Sequence, residues 1–328
     1  MGECVNVRRR LPLLAAPDGP RAPLPAGGWN SGEVKALCAA AEVHGVLPAV
    51  LANLRQVGLP AGAAEATRSF RERLLGEAAV AMQLRRQLAE ACGALTSRGV
   101  EHVVLKGPEF ADRLYPEPQF RPFTDIDILI RTDALPVAAA VMRALGYVPE
   151  ELARRRAYGQ QRWMPPEGRP RGDVEIHWDL VNAPGIRRGV SVVLDDLALE
   201  GAPSGLRRAS PASLLLVAAV HAATSHRFDR LQPLVDIRQA ALGAAGTVDE
   251  PWLADALDRT GAGLSLHMAL HLAGRLLGCQ ACGAMAGRVR TAWTARVARL
   301  SLPAGTVLRR GWGASLRRQV IRELLKVQ

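Results

Sequence analysis

Asp125 and Asp127 stand one residue apart in the run Thr124-Asp125-Ile126-Asp127-Ile128-Leu129-Ile130. β-branched residues at this density favour a strand, and a period of two places Ile126, Ile128 and Ile130 on one face and both aspartates on the other. Two like charges roughly 7 Å apart beside an apolar core repel each other and lose hydration, so they require partners, a raised pKa or a cation between them. A divalent ion answers that requirement most strongly. Two solvated aspartates on an edge strand would be the bland alternative, and the context decides between them.

The context is a third acid. In Asp173-Val174-Glu175-Ile176-His177-Trp178, Glu175 and His177 share one strand face and Val174, Ile176 and Trp178 the other. If the two strands are neighbours, Asp125, Asp127 and Glu175 converge. Three carboxylates suit two Mg²⁺ ions roughly 3.5 to 4 Å apart, the arrangement for in-line displacement at phosphorus. His177 either orients an acceptor, acts as a base, or packs beneath a helix. Arg121, four residues before Asp125, has a guanidinium fork suited to a triphosphate or to a carboxylate.

The elements that must position these groups follow from the pattern. Val103-Val104-Leu105 reads as a short buried strand ended by Lys106-Gly107-Pro108, and Pro108 opens a helix with Phe110 and Leu114 at i, i+4. Thr132 or Asp133 caps a helix whose inward residues are Leu135, Ala138, Val141, Met142 and Leu145, stopped by Gly146. Tyr158 to Met164 and Asp173 to Trp178 form a hairpin turned at Pro165-Pro166-Glu167-Gly168. Ahead of this core, helices run from a Ser31 cap through Val34, Leu37, Cys38 and Ala41, from Leu47 to Leu54, and from Ala64 to Leu95. After it, Ser210-Pro211 opens another helical region. The expected fold is α+β: a small mixed sheet at 101–200, an N-terminal helical region at 1–100 and a C-terminal helical domain at 206–328, with Gly201 to Gly205 as linker.

Composition fits that frame. The chain has 328 residues, of which 48% are hydrophobic and 4% aromatic, describing a globule able to bury a substantial core. No apolar run reaches the roughly 18 residues a membrane span needs. The arginines at 8–10 precede too short an apolar stretch for a signal peptide, and with five scattered cysteines the chain reads as cytoplasmic. Cys279-x-x-Cys282 with His267 and His271 is the pattern of a Cys2His2 zinc site, although one such pair carries little weight beside ordinary helix packing. The net charge of +11 is concentrated at Gly287 to Gln328, where ten basic residues face Glu323 alone. That segment reads as a solvated basic helical tail, with nucleic-acid contact as the less favoured use. His226 and Arg230, at i, i+4, could line a cleft, and Asp236 reads as an ion-pair or capping group.

Taken together, Leu105-Lys106-Gly107, Leu114-Tyr115-Pro116, Arg121, Asp125-Ile126-Asp127-Ile128-Leu129 and Glu175-Ile176-His177-Trp178 resemble the bacterial nucleotidyltransferase-like branch of the polymerase-β-type superfamily. The resemblance covers Val103 to Leu180 well and the helical flanks loosely. It implies that Gly107 turns backbone N–H groups toward nucleotide phosphates, that Asp125 and Asp127 bind metals, and that Glu175 is the third ligand and helps deprotonate the acceptor. Lys106, Gly107, Arg121 and His177 then face the nucleotide. The implied reaction is Mg²⁺-dependent transfer of a nucleoside monophosphate from an NTP, ATP being the expected donor, to a hydroxyl of a small molecule or peptide, natural-product tailoring among the contexts. The alternatives are kinase-like phosphoryl transfer at the same site and a non-catalytic nucleotide- or nucleic-acid-binding protein. One departure stands out: the superfamily's familiar Gly-Ser or Gly-Gly is here Lys106-Gly107-Pro108, and Pro108 removes an N–H. Lys106 either compensates by charge or is structural.

Overall fold

A computed structural model describes residues 2–20, 30–58, 63–151, 158–165, 172–201, 207–246, 248–290, 293–309 and 311–327. The N-terminal helices are α1 (Gly2–Leu14), α2 (Ser31–Val43), α3 (Leu47–Gln56) and α4 (Ala63–Ser97), the last 35 residues long. The central region runs β1 (His102–Val104), α5 (Lys106–Leu114), β2 (Ile126–Ile130), α6 (Leu135–Ala144), β3 (Val148–Pro149), β4 (Gln160–Met164), β5 (Val174–His177) and the hairpin β6 (Leu199–Gly201) with β7 (Arg207–Ala209). The C-terminal helices are α7 (Pro211–Thr224), α8 (Gln232–Ala244), α9 (Glu250–Thr260), α10 (Gly263–Leu277), α11 (Gln280–Arg288), α12 (Trp293–Ser301) and α13 (Trp312–Leu325). Among the described residues no helix is long and apolar enough to cross a membrane. The expected turn at 165–168 and linker at 201–205 fall almost wholly outside the described residues.

The five-stranded sheet has the order β1-β2-β5-β4-β3, with β2 and β5 parallel and the other neighbours antiparallel. Alternation along β2 and β5 decides which face meets which layer. Ile126, Ile128, Ile130, Val174 and Ile176 pack with Leu84, Cys92 and Leu95 of α4 and Val141 and Met142 of α6 in one core. The opposite face carries Leu129 into a second, larger core that joins α1–α3 to the C-terminal helices. The α+β architecture is thus as expected, and the polar face of β2 and β5 lies toward the C-terminal bundle.

Local signals explain most boundaries. Ser210 caps α7 by accepting the Ser213 N–H at 3.2 Å. At α2 the cap is Asn30 rather than Ser31: its side chain accepts the Glu33 N–H at 2.8 Å while Glu33 reaches back to the Asn30 N–H, a reciprocal box that satisfies two helix-end donors. The helix α7 is buried nearly all round, as a central bundle helix must be.

The basic C-terminal segment is not a solvated tail. α13 buries Ile321, Leu324 and Leu325, and its end lies so close to the 189 turn that a Cβ at Gly189 would stand 2.4 Å from the Leu325 carbonyl. The apolar positions at 321, 324 and 325 dock the helix; Arg317 is exposed, whereas Arg318 turns inward and donates to the Thr306 and Arg309 carbonyls at 3.3 and 3.2 Å.

Candidate active site

The parallel register sets Asp127 of β2 beside Glu175 of β5 and Leu129 beside His177. One strand pair therefore delivers two carboxylates and an imidazole to one face. The ligand atoms of Asp127, Glu175 and His177 lie within 4.8 Å of one another, and this is the one such potential metal group among the described residues. Asp125, just before β2, lies outside that tight group, and His177, expected on the nucleotide side, stands within it. Burial, with Asp127 and Glu175 nearby, raises the Asp125 carboxyl above its ordinary value, so its charge belongs to the same cluster.

Lys106 enters from the end of β1. The Leu105 N–H donates to the Asp127 carbonyl at 2.9 Å, which fixes the chain next to β2 before it turns. The turn needs left-handed backbone: φ is 20° at Lys106 and 40° at Gly107. A side chain at 107 would be strained, and its Cβ would meet the Asp125 carbonyl at 3.4 Å. Regular helix begins beyond Gly107, with Pro108 near its start, so the first turn has one N–H fewer. The turn instead delivers the Lys106 ammonium to 2.8 Å from Asp127 Oδ1.

That same oxygen accepts from His177 Nε2 at 3.0 Å, and Nε2 lies 3.4 Å from Glu175 Oε2. Facing two carboxylates, Nε2 carries the proton. Burial alone would lower the His177 pKa, but Asp127 and Glu175 raise it. Asp127, 1% exposed, would be raised by burial, yet Lys106 and His177 hold it well below the usual carboxylate range. Burial would likewise strip Lys106 of its proton, and Asp127, Asp125 and Glu175 keep it charged.

Arg121, read as a nucleotide contact or a carboxylate partner, directs its fork to a carboxylate. Its Nε and Nη2 donate to the two oxygens of Asp236 on α8 at 2.8 and 2.9 Å. Its Nη1 donates to the Gly107 carbonyl at 3.3 Å, and the Tyr115 hydroxyl adds a 2.6 Å bond to Asp236. The C-terminal bundle thereby holds the Lys106–Gly107 turn in place. The Gln232 amide reinforces this, donating to the Pro122 carbonyl at 2.8 Å. Asp236 is thus the ion-pair partner its sequence position suggested. Tyr115 had no assigned role beyond its place in a motif, because a hydroxyl partner 121 residues away leaves no periodic trace.

His221 on α7, which the sequence marked only as part of the flank resembling the family, is a neighbour of the site to which no role was assigned. Burial and the charges of Lys106 and His226 press its pKa well below the ordinary histidine value, so it faces the site as a neutral ring. His226 packs edge-on against it at 4.8 Å between ring centres, held by a loop in which Arg227 and Phe228 have positive φ. Arg230, expected beside His226, is exposed. Cys279 and Cys282 follow the favoured packing reading rather than the zinc alternative: Cys279 Sγ accepts the Cys282 N–H at 3.3 Å as the cap of α11, and among the described residues the two form no metal group with His267 and His271. His267 Nδ1 is engaged with the Ala286 carbonyl at 3.2 Å.

The match to a family model agrees with the resemblance read from the core. Residues 30–278, most of the chain, match the family described as uncharacterised nucleotidyltransferase. No curated protein matches. Among solved structures, the chain is similar to that of the antibiotic-resistance factor ANT(2'')-Ia, with 16% identity over 57% of this chain and 96% of that one and a TM-score of 0.34.

Proposed function

The chain belongs to the uncharacterised nucleotidyltransferase family, and we propose that it transfers a nucleoside monophosphate from an NTP, with a divalent metal, to a hydroxyl of a small molecule or peptide. The observation that carries this reading is the register of β2 and β5, which aligns Asp127 with Glu175 under the Lys106–Gly107 turn. An oxygen-rich donor set with one imidazole fits Mg²⁺ or Mn²⁺. Asp127 and Glu175 would hold the metal, with Asp125 completing the set. When bound, such ions polarise the phosphate and stabilise both the entering and leaving oxygens.

The protein's own groups supply the rest. The acceptor oxygen attacks the α-phosphorus, the bond to the pyrophosphate oxygen breaks, and the acceptor's proton passes to a carboxylate. Glu175 suits that last role: its side chain is 20% exposed against 1% for Asp127. His177 already holds a proton between the two acids, so it orients them rather than receiving the acceptor's proton. Arg121 acts on the reaction through the Gly107 carbonyl, keeping the turn aligned with the strands. The neutral pair His221 and His226 lies on the bundle side, where an acceptor approaching from the C-terminal helices would meet it.

The test is direct. Purified protein is given Mg²⁺, each NTP labelled at the α- or the γ-phosphorus, and a panel of hydroxyl-bearing small molecules and peptides. Label from the α position appearing on an acceptor together with pyrophosphate, absent with Asp127→Asn, is the expected result. Transfer of γ label with release of a nucleoside diphosphate would identify a kinase instead.

A further inference from the structure

The Lys106 ammonium engages a carboxylate oxygen that a metal ion would need. It lies 2.8 Å from Asp127 Oδ1, and His177 Nε2 takes the same oxygen at 3.0 Å. Oxygen ligands hold Mg²⁺ at about 2.1 Å. An ion bonded to that oxygen would therefore stand within about 5 Å of the ammonium, in a site shielded from water where like charges repel strongly. Three carboxylates, Asp125, Asp127 and Glu175, share this site with two cations, Lys106 and His177. A free divalent ion would turn that balance positive unless the lysine left.

The backbone fixes the base of the lysine. Its side chain is 14% exposed, and it rises from the turn that faces the expected triphosphate. Its own φ of 20° marks a residue held in a sparsely populated conformation by the Leu105 bond to β2 on one side and the Arg121 bond to Gly107 on the other. Such conformations persist where the surroundings over-determine them.

We propose that Lys106 is an exchangeable counter-ion, paired with Asp127 at rest and transferred to the nucleotide's phosphates when metal and nucleotide enter together. The inference rests on the nucleotidyltransferase reading of the site and adds a rule of binding: metal alone binds poorly, nucleotide recruits it, and by linkage metal strengthens nucleotide binding by the same factor. The Lys106-Gly107-Pro108 departure acquires a purpose, since the lysine supplies to the phosphates the charge that the proline's missing N–H does not.

The experiment measures Mn²⁺ affinity by electron paramagnetic resonance of the free ion, with and without each of the four α,β-methylene nucleoside triphosphates. Wild type is expected to gain about tenfold or more in Mn²⁺ affinity from its cognate nucleotide. Lys106→Gln should bind Mn²⁺ alone about tenfold or more tighter than wild type and lose most of the gain from nucleotide. Lys106→Arg, which keeps the charge, should retain weak binding of metal alone, and thermal melts establish that both variants are folded. Equal Mn²⁺ affinity of wild type and folded Lys106→Gln without nucleotide overturns the exchange and leaves the proposed function standing. Absence of Mn²⁺ binding by wild type under every condition overturns the metal-site reading, and the exchange with it.

Discussion

Two buried ionic clusters lie on either side of the Gly107 turn, and they are built on opposite principles. In one, Asp236 receives the guanidinium of Arg121 on both oxygens and the Tyr115 hydroxyl as well, and Arg121 has its third nitrogen on the Gly107 carbonyl. Donors and acceptors are matched, and one negative charge meets one positive. In the other, three carboxylates share Lys106 and His177; Asp127 is held low, Asp125 is pushed high, and His177 Nδ1 is buried without a hydrogen-bond partner. Matched clusters fix geometry. A cluster with excess negative charge is poised to receive a cation, and perturbed groups gather where chemistry is done.

The sharpest way to break that comparison is to neutralise one acid in each cluster. Asp127→Asn should lower turnover by about a thousandfold, because loss of the proposed metal ligand would remove several kcal/mol of transition-state stabilisation at about 1.4 kcal/mol per decade. Steady-state kinetics at saturating nucleotide would show it. Retention of more than a tenth of wild-type turnover would remove Asp127 from the chemistry.

In the matched cluster the large effect should fall on stability. Arg121→Ala or Asp236→Ala leaves its partner charged and buried, costing about 3 to 5 kcal/mol. The double variant, with neither charge left, should cost much less than the sum of the two singles. Urea unfolding of the four proteins gives this coupling directly. Additive losses would mean that the pair is no pair. Tyr115→Phe, which deletes one hydrogen bond to a charged acceptor, should cost about 1.5 kcal/mol in the same assay and leave the Arg121–Asp236 coupling intact.

The two clusters were unequally legible in the sequence. The period of two along β2 and β5 is a rigid rule, so Asp127, Glu175 and His177 could be placed on one face from residue types alone, and Gly107 with Pro108 marked the turn. What periodicity does not encode is contact at long separation. Arg121 meets Asp236 across 115 residues, and nothing in the spacing of either residue names the other, so its fork could be read for a phosphate or a carboxylate. Lys106 was visible as a departure from a familiar loop, but its pairing with Asp127 depends on the φ values of the turn. The Cys279 and Cys282 pair shows the converse. The spacing suits zinc and equally suits a helix cap, and the fold uses it as a cap.

The smallest effect separates the clusters by pH rather than by substitution alone. His177 has its folded pKa raised by Asp127 and Glu175 against the opposing effect of burial, so its contribution to stability is complete below its ordinary 6.5 and is lost as pH rises through the folded value. Asp125, raised by burial and by its acidic neighbours, acts in the same sense: it is destabilising while ionised, and acidification relieves it. Asp127, held low by Lys106 and His177, opposes both only at much lower pH, where its contribution disappears as its folded value is crossed. Arg121 is raised further above neutrality and Tyr115 well above its ordinary value, so the matched cluster contributes no slope between pH 6 and 8 at all, about the range in which an unperturbed histidine titrates. The buried His221 and His226, with lowered pKa values, act in the opposite sense, so the test is a difference: in chelator-treated protein His177→Gln should lower the melting temperature more near pH 6 than near pH 8, while Tyr115→Phe lowers it equally at both. A loss on His177→Gln that is the same at both pH values would mean that His177 does not titrate against the two acids, and would remove the electrostatic contrast between the two clusters.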